Sequence, residues 1–176
     1  EIARAGLERG PLALARHVGR EDEHRQVGVD PLLFQLVEHL DSVYPSGIVV
    51  EADGSVVWVE SYTRAVIRRR ADGSRQLLAT LAGPDHVPDG LKVAANGDLY
   101  VTSTGSGGVD VVSPAGGVTG FLAVGLVPTN CVFDGTDLLV TDGGAQGTSD
   151  ELHAGGLLWR IPIGVAGMPL FTGAIR

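Results

Sequence analysis

The sequence has one lysine, one cysteine and no long hydrophobic run. Each of these shortages excludes a class of partner, bond or segment. With Lys92 as the only lysine and a net charge of −8, there is no cluster of positive charge for a phosphate backbone, so nucleic acid is not an expected partner. Cys131 has no second cysteine to pair with, which excludes an intramolecular disulfide and is compatible with a reducing compartment. No stretch approaches the roughly 18 apolar residues of a membrane-spanning helix. We therefore expect no membrane partner and a cytoplasmic location.

Glycine and short apolar runs are plentiful instead. The chain has 176 residues, of which 44% are hydrophobic, with 26 glycines and nine prolines. The glycines and prolines separate short apolar runs, a pattern typical of many strands joined by tight turns. The sequence therefore predicts an all-β fold.

A short pattern occurs three times, each time followed by an apolar run, a turn and a second apolar run. The three copies are Pro45–Ile48, Pro88–Leu91 and Pro128–Cys131. Their spacings of 43 and 40 residues match one four-stranded propeller blade of about 40 to 50 residues. Equivalent positions of successive blades lie at the same radius from the axis. Ser46, Asp89 and Thr129 are therefore expected to converge on one central mouth.

Turn signals recur within each unit and predict the blade boundaries. Asp53-Gly54, Asp72-Gly73, Asn96-Gly97 and Asp134-Gly135 supply the positive φ that tight hairpins require. Full blades are predicted over residues 45–84, 85–127 and 128–176. A partial blade is predicted over residues 30–44, in which Leu32–Leu40 would form the last two strands. Residues 1–29 are expected to be irregular or helical, or a remnant of upstream blades.

About three and a half blades do not close a ring, since propellers have about 4 to 8. Two interpretations follow: a compact four-bladed ring that uses the N-terminal residues, or the C-terminal part of a larger ring. The second is favoured, and the start at Glu1 without an initiator methionine agrees with it. Unpaired strand edges of an open ring also predict self-association.

Five motifs, in this order and spacing, resemble one known family. They are Pro88–Gly90, Gly97–Val101, Gly108–Val111, Pro128–Phe133 and Gly155–Ile161. Together they resemble the senescence marker protein (regucalcin)/gluconolactonase/luciferin-regenerating-enzyme-like family of six-bladed propellers. The resemblance extends over about residues 32–171 and corresponds to the C-terminal half of such a protein.

This resemblance implies a divalent-metal lactonase or related esterase, with calcium or zinc held at the top of the central channel. The family's ligands are a Glu near the N-terminus, the Asn of a Pro-Asn-Gly motif and the Asp of a Pro-Asp-Gly motif. Asp89 matches the last, Ser46 stands in the place of the Asn, and the Glu belongs to a blade outside this chain. A serine hydroxyl is a weaker ligand than an amide carbonyl, and calcium takes about 6 to 8 oxygens. One of the family's three ligands is therefore intact in this chain, and a degraded metal site belongs to the non-catalytic alternative given below.

The resemblance also implies roles for individual residues. Asp89 would be the catalytic residue, holding the metal and transferring a proton, with Ser46 as a second metal ligand. Thr129 and Asn130 would bind the hydroxyls or carbonyl of a lactone or ester substrate. Activity is expected of a complete ring rather than of this chain alone. The alternative is a non-catalytic propeller that binds a small ligand or protein partner at its mouth.

Asp142 and His86 are expected to be solvated.

Overall fold

The structure, a computed structural model, describes residues 36–144 and 156–169. The chain divides into two compact units, residues 1–39 and 40–176, and the described strands all belong to the second. These strands form three antiparallel sheets, and the described residues contain no helix. No helix long and apolar enough to cross a bilayer therefore occurs in this part of the chain. The predicted all-β fold is confirmed.

Each sheet is built from strands that follow one another along the chain. The first contains β1 (Pro45–Val50), β2 (Val56–Glu60), β3 (Ala65–Arg69) and β4 (Arg75–Thr80). The second contains β5 (Pro88–Val93), β6 (Leu99–Ser103), β7 (Gly108–Val112) and β8 (Val118–Ala123). The third contains β9 (Pro128–Asp134), β10 (Asp137–Asp142) and β11 (Leu157–Pro162), with β10 in the middle.

The strands predicted within Leu32–Leu40 are not seen in the described part of that segment. Residues 36–40 form no strand, and the side chains of Leu36 and Val37 are 65% and 68% exposed. Apolar alternation alone does not make a strand where the side chains find no buried face. The predicted segment 1–29 lies outside the described residues.

The hairpins form where the turn residues predict them. Gly54 and Gly97 adopt φ values of 83° and 89°, a region that residues with a Cβ rarely enter. The side chain of the residue before each glycine also accepts a hydrogen bond within the same turn. The Asp53 carboxylate accepts a hydrogen bond from the Ser55 amide at 2.8 Å, and the Asn96 side chain accepts one from the Asp98 amide at 3.1 Å. Local chemistry therefore determines where each hairpin reverses.

The three sheets pack face to face in chain order. One apolar cluster joins the first sheet to the second and includes Val59 and Leu91, both fully buried. Another joins the second sheet to the third and includes Val109 and Val140. Burial of one such side chain contributes about 1.5–3 kcal/mol. The first strands β1, β5 and β9 are neighbours in space, as expected for successive blades around one axis.

A buried polar residue lies at the same place in each sheet, opposite the proline that begins the first strand. These residues are Glu60, Ser103 and Asp142, which pair with Pro45, Pro88 and Pro128. All three are at most 5% exposed. Buried polar groups require hydrogen-bond partners. Glu60 and Asp142 bond to groups in neighbouring loops, whereas Ser103 bonds to Asp110 in β7 of the same sheet.

Asp142 shows this most clearly and corrects the expectation of a solvated strand end. Its carboxylate accepts hydrogen bonds from the backbone amides of Leu126 at 3.0 Å, Val127 at 2.9 Å and Gly144 at 2.8 Å. The Trp159 indole donates a fourth at 3.0 Å. Burial alone would raise the pKa of Asp142, but these donors outweigh it and lower the pKa to about 2.

Replacement of Asp142 by Asn is expected to destabilise the fold. Asp142→Asn places an amide group among hydrogen-bond donors, which should lower the free energy of unfolding at pH 7 by about 1–3 kcal/mol. The pKa of Asp142 lies near 2 instead of its ordinary 3.8. The stabilisation is therefore present above about pH 4 and is lost as the pH falls towards 2. Urea denaturation at several pH values measures both effects.

Asp137→Asn is the matched control, because Asp137 pairs with the exposed Arg160 at 2.8 Å. An exposed ion pair contributes only about 0–1 kcal/mol. Equal losses in the two variants, or a loss in Asp142→Asn that persists at pH 2, would contradict the role assigned to Asp142.

Candidate functional site

The predicted site residues lie at irregularities in strand pairing that occupy equivalent places in the three sheets. These irregularities fall at Pro45–Ile48 in β1, Pro88–Leu91 in β5 and Pro128–Asn130 in β9. In each case the first strand has one residue more than its partner, which is a β-bulge. Ser46, Asp89 and Thr129 lie within the bulges. A bulge leaves a residue outside the ladder and redirects its side chain.

Two glycines allow the bulges of neighbouring sheets to approach each other closely. A Cβ on Gly47 would lie 2.5 Å from the carbonyl oxygen of Asp89. A Cβ on Gly90 would lie 2.6 Å from the Cα of Asn130. The backbone that carries Ser46 therefore touches the backbone that carries Asp89, which in turn touches the bulge of β9.

Asp89 lines a cleft of about 410 Å³. Its other lining residues are Tyr44, Ser61, Tyr62, Val87, Pro88 and Thr104. Asp89 is half-buried, and this burial raises the pKa of its carboxyl group. Within residues 36–144 and 156–169 its carboxylate has neither a hydrogen bond nor an ion pair. A half-buried acid without a partner is typical of a functional group.

Ser46 belongs to a small hydroxyl cluster beside Asp89. Its Oγ lies 3.4 Å from the Pro88 carbonyl oxygen and 3.4 Å from the Ser61 hydroxyl. Ser61 donates its own hydrogen bond to the Pro88 carbonyl at 2.8 Å. Ser61 was not predicted from the sequence; it follows directly after β2, the second strand of the first hairpin.

Thr129 and Asn130, the predicted substrate-binding residues, are accessible on β9. The Thr129 and Thr141 hydroxyls form a hydrogen bond of 2.9 Å. Asn130 is exposed, and its side-chain oxygen accepts a hydrogen bond from the Cys131 amide at 2.9 Å. In the described part of the chain the side-chain NH₂ of Asn130 has no partner, so it is available to a ligand.

A buried acid in β7, Asp110, was also not predicted as functional from the sequence. Asp110 is 1% exposed, accepts a hydrogen bond from the Ser103 hydroxyl at 2.5 Å and contacts His86 Nδ1 at 2.9 Å. The His86 ring lies 5.2 Å from the Phe121 ring, so His86 is not the solvated residue expected. A charged residue in the middle of an apolar strand was the available signal. Asp110 anchors the loop that leads into β5.

The oxygen atoms around Asp89 are of the type that a hard cation prefers, but there are too few of them to complete its coordination. A carboxylate and nearby hydroxyls are oxygen ligands, which calcium prefers, but calcium takes about 6 to 8 of them. In the part of the chain that the structure describes, no group of three or more His, Cys, Asp or Glu side chains could hold a metal ion. The described residues alone therefore supply an incomplete set of ligands.

Comparison with known proteins identifies the family. Residues 35–142 match the SMP-30/gluconolactonase/LRE-like region. The chain belongs to this family. The match includes the bulges of all three sheets, and it confirms the resemblance inferred from the motifs. No curated protein matches the chain.

Solved structures show the same fold. Regucalcin from Agrobacterium tumefaciens, described as a calcium-binding protein, is 24% identical with a TM-score of 0.61, covering 70% of this chain and 47% of its own. A luciferin-regenerating enzyme is 20% identical with a TM-score of 0.59 and the same coverage. A gluconolactonase from Xanthomonas campestris is 18% identical with a TM-score of 0.54, covering 73% and 48%. The chain spans about half the length of these structures.

Gly90→Ala is expected to disturb the contact between β5 and β9. The added methyl group would lie 2.6 Å from a backbone atom of Asn130, so the two strands must separate. We expect a loss of about 1–3 kcal/mol in the free energy of unfolding, measured by urea denaturation. Gly120→Ala is the control, because its nearest neighbour would be Val111 Cβ at 3.7 Å. Equal stability of the two variants would contradict a close approach at Gly90.

Proposed function

We propose that the chain forms part of a divalent-metal-dependent hydrolase of the gluconolactonase type, which opens a lactone or related ester. The observation that supports this proposal most strongly concerns Asp89. Its carboxylate is half-buried and has no hydrogen-bond or ion-pair partner among the described residues. A bulge places Asp89 beside the equivalent bulges of two other sheets. Membership in the family supports this proposal. Calcium or zinc is the proposed cation.

The chemistry requires one proton to move between two oxygens. Water attacks the lactone carbonyl, the ring C–O bond breaks, and the proton lost by the water ends on the departing alkoxide. A bound divalent ion, when present, polarises the carbonyl and lowers the pKa of water. Asp89 would hold the cation and carry the proton.

The β9 bulge, which contacts Gly90 but does not line the Asp89 cleft, offers groups that suit a hydroxylated substrate. The Asn130 side-chain NH₂ offers a donor, and the Thr129 hydroxyl offers a donor and an acceptor. The rings of Tyr44 and Tyr62, 5.3 Å apart, line the cleft and offer an apolar wall. Clefts with apolar walls and a few convergent polar groups are typical of small-molecule sites.

A non-catalytic propeller that binds a small ligand at its mouth is the second candidate. It is favoured by Ser46, whose hydroxyl lies in hydrogen-bonding range of Ser61 and the Pro88 carbonyl, and by the short ligand set around Asp89. Under this proposal the cleft binds a sugar lactone without turnover. Calorimetry with added calcium or zinc separates the two, because only the hydrolase requires the metal.

Asp89→Asn is expected to abolish lactone hydrolysis without loss of stability. In a complete ring that contains this chain, turnover of gluconolactone with added calcium or zinc, followed by pH-stat, should fall by at least about 100-fold. The pKa of Asp89 is raised, so the residue favours the folded state below its ordinary pKa and loses this contribution as the pH rises through the raised value. At pH 7 the Asn variant should therefore be at least as stable as the parent.

Asp98→Asn is the matched control, since Asp98 lies in the turn at the far end of the same sheet and bonds to Asn96. Its turnover should equal that of the parent. Unchanged hydrolysis in Asp89→Asn, or hydrolysis that persists in a chelator, would refute the proposed function.

A further inference from the structure

We propose that Thr102 is a positioning residue for Asp89, and that its buried hydroxyl fixes the direction in which the β5 bulge presents the carboxylate. Thr102 lies on β6 between Val101 and Ser103, which pair with the residues on either side of the bulge. This single residue of β6 therefore faces two residues of β5, Asp89 and Gly90. The consequence for turnover rests on the proposed function, whereas the positioning itself can be measured without it.

The peptide group that follows Asp89 is bound by this hydroxyl. Thr102 Oγ1 accepts a hydrogen bond from the Gly90 amide at 2.7 Å and lies 3.4 Å from the Gly90 carbonyl oxygen. Thr102 is fully buried, and a buried amide that loses its partner is costly. The side chain of Thr102 thus supplies a partner for a peptide group that the bulge takes out of the regular ladder.

The peptide group that precedes Asp89 is bound from the first sheet. Ser61, the residue after β2, donates a hydrogen bond of 2.8 Å to the Pro88 carbonyl oxygen. Peptide groups are planar, and the orientations of the two groups that flank a residue determine its φ and ψ. Hydroxyl groups on both sides of Asp89 therefore fix the direction of its Cα–Cβ bond.

The backbone matters here because the Asp89 side chain has no anchor of its own. Among the described residues its carboxylate has neither a hydrogen bond nor an ion pair. A catalytic group without such a bond depends on its backbone and on packing for its orientation. Loss of the Thr102 hydroxyl would therefore act directly on the direction of the carboxylate.

The equivalent positions of the other two sheets show that a bulge forms without this hydroxyl. In the first sheet the residue opposite the bulge is Val59, which is fully buried and nearly the shape of threonine. In the third sheet it is Thr141, whose hydroxyl donates a hydrogen bond of 3.2 Å to the Asn130 carbonyl oxygen. Threonine thus faces the two bulges that carry the predicted catalytic and substrate-binding residues. We assign the Thr102 hydroxyl to the orientation of the bulge rather than to its formation.

Two substitutions separate the hydroxyl from the shape of the side chain. Thr102→Val removes the hydroxyl and keeps the branched shape, whereas Thr102→Ser keeps the hydroxyl. Misplacement of a reacting group by about 1 Å costs on the order of 100-fold in rate. In a complete ring that contains this chain, with saturating calcium or zinc, Thr102→Val should lower kcat for gluconolactone by about 10- to 100-fold. KM should change little, because the residues that line the cleft are untouched, and Thr102→Ser should restore most of the rate.

Thr119→Val is the matched control. It also removes a threonine hydroxyl from the second sheet, but on β8, the strand farthest from β5. The Thr119 hydroxyl is exposed and bonds to the Val111 carbonyl oxygen at 3.3 Å. Its kcat should equal that of the parent.

Nuclear magnetic resonance on the 176-residue chain tests the positioning without any turnover. In Thr102→Val the Gly90 amide should exchange with solvent about two- to tenfold faster than in the parent. The Asp89 Cβ should show a lower order parameter, because its direction is no longer fixed. The other amides of β5 and β6 should keep their exchange rates, and Thr102→Ser should resemble the parent in both measurements.

Four results would overturn the proposal. Unchanged Gly90 exchange and Asp89 order in Thr102→Val would show that the hydroxyl holds neither residue. Faster exchange throughout β5 and β6, or a variant that does not fold, would show that the hydroxyl stabilises the sheet as a whole. A normal kcat despite a disordered Asp89 would show that its direction does not limit turnover. If the parent ring itself opens no lactone, the proposed function fails, and the order of Asp89 in Thr102→Val still decides whether Thr102 positions it.

Discussion

The contact between the first strands of neighbouring sheets is the constraint on which the rest of the structure depends. Glycine at Gly47 and Gly90 lets β1 approach β5 and β5 approach β9 to a distance that no Cβ would allow. This approach aligns the bulges, and the bulges present Ser46 and Asp89 outside the ladder. The candidate site is therefore carried by rigid strands, which hold functional groups more accurately than loops do.

Much of this architecture follows from local signals in the sequence. The Asp-Gly and Asn-Gly turns and the short apolar runs predict the hairpins, because turn chemistry acts within a few residues. The equal spacing of the Pro45, Pro88 and Pro128 units predicts equivalent positions for the site residues. The bulges themselves were not predicted. A bulge is a mismatch between two strands, so the sequence of one strand does not contain it.

The side chains that anchor the loops could not be predicted from the sequence either. Asp142 receives hydrogen bonds from amides about 15 residues before it and from an indole 17 residues after it. His86 meets an acid 24 residues away. Such partners come together only once the sheets have formed, whereas the sequence neighbourhood of each residue suggested a solvated position. The sequence thus predicted where the hairpins turn but not which polar groups hold their ends.

Lys92 has a consequence for how the molecule can be labelled. It is the only lysine in the chain, and it lies on the wall of a groove along the first strands, with its Nζ 2.9 Å from the Leu91 carbonyl oxygen. An amine-reactive dye would therefore find one ε-amino group to modify, apart from the terminal amine. The fluorophore would lie among apolar side chains and would respond to any molecule that enters or covers the groove.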